Sequence, residues 1–112
     1  IAAACAEGRT VLTGAEELRV KESDRIQVMA DGLQALGIDA QPTSDGMIIE
    51  GGIIGSGEVD GHGDHRIAMS FLVLGLGAEK PVAVDDAHPI ATSFPNFEQL
   101  MGDMGANFAL YY

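Results

Sequence analysis

Apolar residues fall at helical spacing in one clear stretch. Ile26, Met29, Leu33 and Leu36 recur every three or four positions while Gln27, Asp31 and Gln34 take the opposite face, which predicts an amphipathic helix. Ser23 precedes it as the N-cap, Asp24 lies in the first turn where the helix dipole favours negative charge, and Gly37 ends it. Short β-branched and apolar runs predict strands at Thr10 to Thr13, Ile38 to Gln41, Met47 to Glu50 and Val82 to Val84. The middle two, joined by Pro42-Thr43-Ser44-Asp45-Gly46, read as a hairpin. Between Gly51 and Gly63, six glycines mark a loop or a strand with tight turns. Ile67 to Leu76 has almost no polar face, the pattern of a central helix buried all round. Ser93 is expected to cap a last helix carrying Phe94, Phe97, Leu100, Met101 and Met104, closed by Gly105 before an apolar strand from Phe108 to Tyr112. At the other end, Ile1 to Glu7 reads as the tail of a helix capped by Gly8.

Two stretches share this order of elements. Gly8 to Gln41 and Gly77 to Leu110 each run helix end, strand, acidic connector, Ser-capped helix, glycine closure and strand. Aligning Val11 with Val82 and Gly37 with Gly105 leaves a length difference of only a few residues, so the chain is expected to hold about one and a half repeat units, roughly 1–52 and 53–112. Its 112 residues, 46% hydrophobic, suffice for one modest core. No apolar run approaches the ~18 residues a membrane span needs, and no signal-peptide pattern is present, so the chain reads as soluble with no membrane partner. The single Cys5, in an alanine-rich stretch, reads as a small packed residue in a reducing, cytoplasmic compartment. Without an initiator Met, the sequence reads as a piece of something longer.

Charge sharpens the picture. In a chain of formal net charge -11, Arg19, Lys21 and Arg25 place three of only six Lys and Arg residues within seven positions, and Asp64-His65-Arg66 supplies a fourth. Positive charge concentrated against an acidic background points to an anionic ligand. With Ser23 and Asp64 as N-caps, Arg25 and His65-Arg66 occupy first helical turns, where a cation opposes the dipole. An anion bound there reverses that sign, because free backbone N–H groups and an arginine together grip a phosphate or carboxylate. The alternative is that both arginines only make exposed salt bridges, for instance to Asp24 or Asp60, each contributing about 0–1 kcal/mol.

Lys21 and Glu22 precede the helix on a connector, where neighbouring side chains point to opposite sides. Glu22 is a candidate general acid or base, or else one member of a solvated charge run. The spacing His62-x-x-His65 does not match a zinc site, and Cys5 and His88 complete no pattern with it. The glycines before Asp64 lack the Gly-Lys-Ser/Thr of a P-loop, and the acidic, aromatic-poor composition argues against nucleic acid.

Glu17-Leu18-Arg19-Val20-Lys21-Glu22-Ser23-Asp24-Arg25, then Gly63-Asp64-His65-Arg66-Ile67-Ala68-Met69-Ser70, then Ala91-Thr92-Ser93-Phe94-Pro95 resemble, in order and spacing, the C-terminal part of the EPSP synthase family of enolpyruvyl transferases. The resemblance implies an α+β fold of β-α-β-α-β-β units around buried helices, this chain being part of one domain. It implies transfer of the enolpyruvyl group of phosphoenolpyruvate to the 5-hydroxyl of shikimate 3-phosphate, in aromatic amino-acid biosynthesis, through a tetrahedral intermediate and with release of phosphate. By position, Arg25 and Arg66 would bind phosphoenolpyruvate, chiefly its carboxylate; Lys21 would contact the shikimate phosphate side and the reacting centre; Glu22 would protonate the methylene carbon; His65 would support them. No metal or organic cofactor is implied.

One position departs from the family pattern: where many members carry Lys before the Ser/Thr-Phe-Pro, this chain has Thr92. The resemblance leaves open what replaces that charge; the determinants of glyphosate tolerance would lie in the N-terminal part, which would also supply the catalytic Asp and most shikimate 3-phosphate contacts and is therefore the expected partner of this chain. Two alternatives remain on sequence grounds: part of a UDP-N-acetylglucosamine enolpyruvyl transferase, which shares the donor, and a non-catalytic anion-binding or folding fragment. The isolated 112 residues are expected to show no turnover; steady-state phosphate release from phosphoenolpyruvate and shikimate 3-phosphate by this chain alone would overturn that expectation.

Overall fold

In the computed structural model, which describes residues 1–109, helix α1 (Ala2–Cys5) leads into strand β1 (Arg9–Leu12), a 3-10 helix over Glu16–Val20 and helix α2 (Arg25–Ala35). Strands β2 (Asp39–Thr43) and β3 (Gly46–Glu50) follow, then β4 (Gly57–Asp60), α3 (His65–Gly75), β5 (Val82–Asp85), α4 (Ile90–Ser93) and α5 (Phe97–Asp103). The first three strands form an antiparallel sheet in the order β1-β3-β2, and β4 and β5 pair in parallel across α3. This is an α+β arrangement, as expected.

The hairpin forms where the turn residues predicted it, with strands extended to Thr43 and Gly46, which pair across a two-residue turn. Gly46 has no room for a side chain, since a Cβ there would lie 1.8 Å from the Leu12 carbonyl oxygen. The glycine therefore lets β1 close over the end of β3. Helix α2 buries Ile26, Val28, Ala30, Leu33 and Leu36 and leaves Gln27, Asp31 and Gln34 exposed, the predicted division of faces. It packs on β2, on the 3-10 helix, on β4 and on α3. The fully buried Ile26, Leu33, Leu36, Ile67, Phe71 and Leu74 form the centre of the core, each contributing about 1.5–3 kcal/mol by leaving water. At the end of α2, Gly37 adopts φ +83°, and the Ile38 N–H donates to the Leu33 carbonyl while the Gly37 N–H donates to Gln34. Helix α5 closes with the same geometry, Gly105 at φ +105° and the Ala106 N–H donating to Met101.

Several sequence-based expectations are corrected. The glycine-rich stretch contains β4, whose side chains alternate between exposed and buried around Val59. The parallel pairing with β5 gives no local signal, because its partner lies beyond an intervening helix. Cys5 is exposed: Ala4, its neighbour, takes the inward position of α1, and the helix is capped at Ala6 rather than Gly8. Helix α3 is not buried all round, for Val73 and Leu76 are 40% and 48% exposed opposite the stripe of Ile67, Ala68, Phe71 and Leu74. The last helix does not begin at Ser93, which ends α4; Phe94 and Pro95 lie in the turn and Asn96 is the N-cap of α5. Pro95 has no N–H to continue the first helix, so the chain breaks there. Phe108 and Ala109 are not in a strand, and the remainder of the strand expected up to Tyr112 lies outside the described residues.

Gly32 marks the closest approach of α2 to α3. A Cβ there would lie 2.4 Å from the Phe71 ring and 2.9 Å from Val59. Gly32→Ala is expected to destabilise the chain by about 1–3 kcal/mol through overpacking, outweighing a helix-propensity gain of about 1 kcal/mol. Gly102→Ala, in α5 with nothing within 4 Å, should instead be neutral or stabilising. Urea denaturation midpoints of the two variants check the pair; equal shifts would remove the packing explanation.

Candidate functional site

The two helix starts singled out by charge are joined by one buried carboxylate. Asp64, fully buried, is the N-cap of α3 and accepts the Arg66 backbone N–H at 3.0 Å. The same carboxylate accepts Arg25 Nε at 2.8 Å and Arg25 Nη2 at 3.2 Å, and the Ser23 hydroxyl donates to it at 2.8 Å. Ser23 is therefore not the cap of α2, as its position suggested. Its hydroxyl turns to Asp64, and Asp24 caps the helix by accepting the Gln27 N–H. Arg25 becomes the first helical residue, with its side chain directed inward onto Asp64.

The charges of this cluster follow from its geometry. Burial alone raises the pKa of Asp64, but hydrogen bonds from Arg25, Ser23 and the Arg66 N–H outweigh it and hold the carboxyl below the usual range. The Asp64 hydrogen bond raises the pKa of Arg25 against the opposing effect of burial. Arg25 is 9% exposed, and breaking such a pair by removing one partner costs about 3–5 kcal/mol. Its Nη2 also donates to the Glu22 carboxylate. Nη1 makes no hydrogen bond among the described residues and reaches the surface. The guanidinium is thus anchored on one edge and open on another, a form suited to gripping an anion.

The cationic run divides into three separate jobs. Arg19 clamps local structure: its Nη1 binds Asp24 at 2.8 Å, its Nε the Ser44 carbonyl at 3.2 Å and its Nη2 the Thr43 carbonyl. It thereby ties the 3-10 helix to the β2–β3 turn and to the start of α2. Lys21 pairs with Glu17 at 3.5 Å while Glu22 pairs with Arg25, so the two neighbours take different partners. Only Arg25 goes inward.

Among the described residues the Arg66 guanidinium has no hydrogen bond or ion pair. It lines an open groove of about 450 Å³ with Ile1, Met69, Ser70 and Val73. His65, half-buried in the first turn of α3, likewise makes no side-chain hydrogen bond, while His62 turns to Asp60 at 3.7 Å. Thr92 is exposed on α4, which packs against α3.

The structure therefore brings Glu22 and Arg25 into contact and joins the α3 start, with Arg66, to the same carboxylate. Lys21 and His65 share the region without a direct bond to that cluster. Asp64 was legible as a helix cap, but its role as the partner of Arg25 was missed. The exposed bridges weighed for Arg25 do not form, since Arg19 takes Asp24. No local signal pairs residues 25 and 64; the nearest hint was an aspartate whose cap function uses only one of its two oxygens.

The profile of a family described as EPSP synthase (3-phosphoshikimate 1-carboxyvinyltransferase) matches residues 1–101. The 3-phosphoshikimate 1-carboxyvinyltransferase of Methylococcus capsulatus is 65% identical over 105 residues, covering 94% of this chain and 24% of its own length. That of Nitrosococcus oceani is 64% identical over 110 residues, covering 98% of this chain and 24% of its own length. A solved structure of EPSP synthase from Acinetobacter baumannii superposes with a TM-score of 0.89 at 56% identity, over 95% of this chain and 26% of that one. The chain spans about a quarter of the length of the relatives it matches.

A carboxyl with a depressed folded pKa stabilises the fold above its unfolded value, about 3.9, and that contribution is lost as pH falls through the lower folded value. Urea midpoints are therefore expected to drop progressively below about pH 4. Asp64→Asn should flatten that acid limb. The same slope in the variant would assign acid unfolding to other carboxylates.

Proposed function

The chain belongs to the EPSP synthase family, and from that membership we propose that it forms part of an enzyme transferring the enolpyruvyl group of phosphoenolpyruvate to the 5-hydroxyl of shikimate 3-phosphate. The reading is supported most directly by one observation: Glu22 and the buried Asp64 both accept from the Arg25 guanidinium at the start of α2, and the start of α3 is tied to the same Asp64 carboxylate. A substrate carboxylate meeting the open edge of Arg25 lies beside a carboxyl group that can act as acid.

The chemistry asks for that pairing. Protonating the methylene carbon of phosphoenolpyruvate builds cationic character at the carbon bearing the phosphate, where the 5-hydroxyl oxygen bonds as it loses its proton. A carboxylate held by arginine keeps the reacting carbon oriented while that charge develops. In the second half of the reaction the new methyl group returns a proton, phosphate leaves with the C–O bond electrons, and the enol ether forms.

In this reading Arg25 and Arg66 hold the donor, chiefly its carboxylate. Glu22 is the proton donor, and Lys21 serves the shikimate phosphate side and the reacting centre. His65, at the first turn of α3, supports them. Protonation and anion binding by side chains supply the whole mechanism, without metal or organic cofactor.

In the full-length enzyme, Glu22→Gln is expected to lower turnover by about 10²–10⁴-fold while phosphoenolpyruvate affinity stays within a few-fold of wild type. Rapid-quench turnover and equilibrium binding measured side by side check this. Equal losses of rate and affinity would make Glu22 structural, and an unaffected rate would remove Glu22 as the proton donor.

A further inference from the structure

Asp64 does more than a cap requires. Capping α3 needs one acceptor oxygen for the Arg66 N–H, a task that Ser, Thr or Asn performs equally well. Here Oδ1 takes that bond together with Arg25 Nη2, and Oδ2 accepts from Arg25 Nε and the Ser23 hydroxyl, on a carboxylate with zero exposure. Two parallel bonds to a guanidinium fix its plane as well as its position. Of the five N–H donors, Nε and part of Nη2 are held by Asp64, a second bond from Nη2 reaches Glu22, and Nη1 has no bond among the described residues and keeps contact with solvent. Rotamer freedom that an arginine would otherwise lose on gripping an anion is already removed in this arrangement. Ser23, by donating to Oδ2, holds the carboxylate in the orientation that makes the fork possible.

We propose that Asp64, held by Ser23, is a positioning residue that presents the open edge of Arg25 to the carboxylate of phosphoenolpyruvate, so that its loss weakens binding of that substrate specifically. The proposal deepens the functional reading above and rests on it. Asp64 touches neither substrate nor reacting atoms; it acts through Arg25. Its effect therefore belongs to donor binding, in the ground state and the transition state alike, and not to the proton transfer performed by Glu22.

The test is steady-state kinetics of the full-length enzyme carrying Asp64→Asn, which keeps the cap acceptor and the side-chain shape but removes the charge that orders the guanidinium. The expected result is a rise of about 10- to 100-fold in KM for phosphoenolpyruvate, with kcat and the KM for shikimate 3-phosphate close to wild type. A general weakening of the fold would not produce that split between two substrates of one site. An unchanged KM for phosphoenolpyruvate, or a fall confined to kcat, would overturn the proposal. If Asp64→Asn does not fold, Ser23→Ala decides: it removes one bond to Oδ2 without touching Arg25 and should raise the same KM by about threefold to tenfold, and no change would overturn the proposal. Failure of the underlying reading is distinct from either result, since it shows as absence of wild-type turnover with phosphoenolpyruvate and shikimate 3-phosphate.

Discussion

The buried ion pair between Arg25 and Asp64 ties the starts of two helices that are 39 residues apart in the chain. A guanidinium and a carboxylate out of water are each unfavourable alone, and each becomes tolerable only at hydrogen-bonding distance from the other. Because Arg25 opens α2 and Asp64 caps α3, satisfying the pair fixes where these helices begin relative to one another. Contacts between apolar side chains allow small sliding adjustments, whereas a forked hydrogen bond does not. The pair thereby adds register to a contact whose affinity comes from packing.

That packing is set by small residues as much as by large ones. Gly32 admits the Phe71 ring against the face of α2, and Gly46 admits the end of β1 against the hairpin. Both glycines are mildly costly in regular elements, and both are used where backbone or ring must come closer than a methyl group permits. The helices are held together at one end by charge and along their length by close contact. This leaves the Glu22 and Arg66 side chains as the adjustable groups at the surface, beside a guanidinium that is already fixed.

The acidic background gives the few cations distinct roles. Six Lys and Arg residues face seventeen Asp and Glu, so almost any cation finds a carboxylate. Arg9 pairs with Glu50 across β1 and β3, Arg19 with Asp24, and Lys21 with Glu17, all with substantial solvent exposure, where such pairs contribute little to stability. Arg25 alone is buried with its partner. Among the described residues, the Arg66 guanidinium has no carboxylate partner although carboxylates are abundant, and Arg66 opens α3 beside the one helix cap that also holds Arg25.

The elements and most of their faces were legible along the chain. The 3.6-residue pattern from Ile26 to Leu36, the turn residues between Thr43 and Gly46, and the glycines at 37 and 105 each act within a few residues along the chain, so their consequences could be read locally. The charged run and the Asp64-His65-Arg66 group were likewise visible, as was the family resemblance they carry. How these pieces divide their labour emerged with folding. It turned Ser23 from a cap into a donor to Asp64, sent Arg19, Lys21 and Arg25 to three different partners, placed β4 beside β5, and left one face of α3 exposed. The physical reason is common to all of these. Each depends on which groups meet across tens of residues, and whether a polar side chain serves the backbone beside it or a distant charge is settled only when burial removes water as the alternative partner.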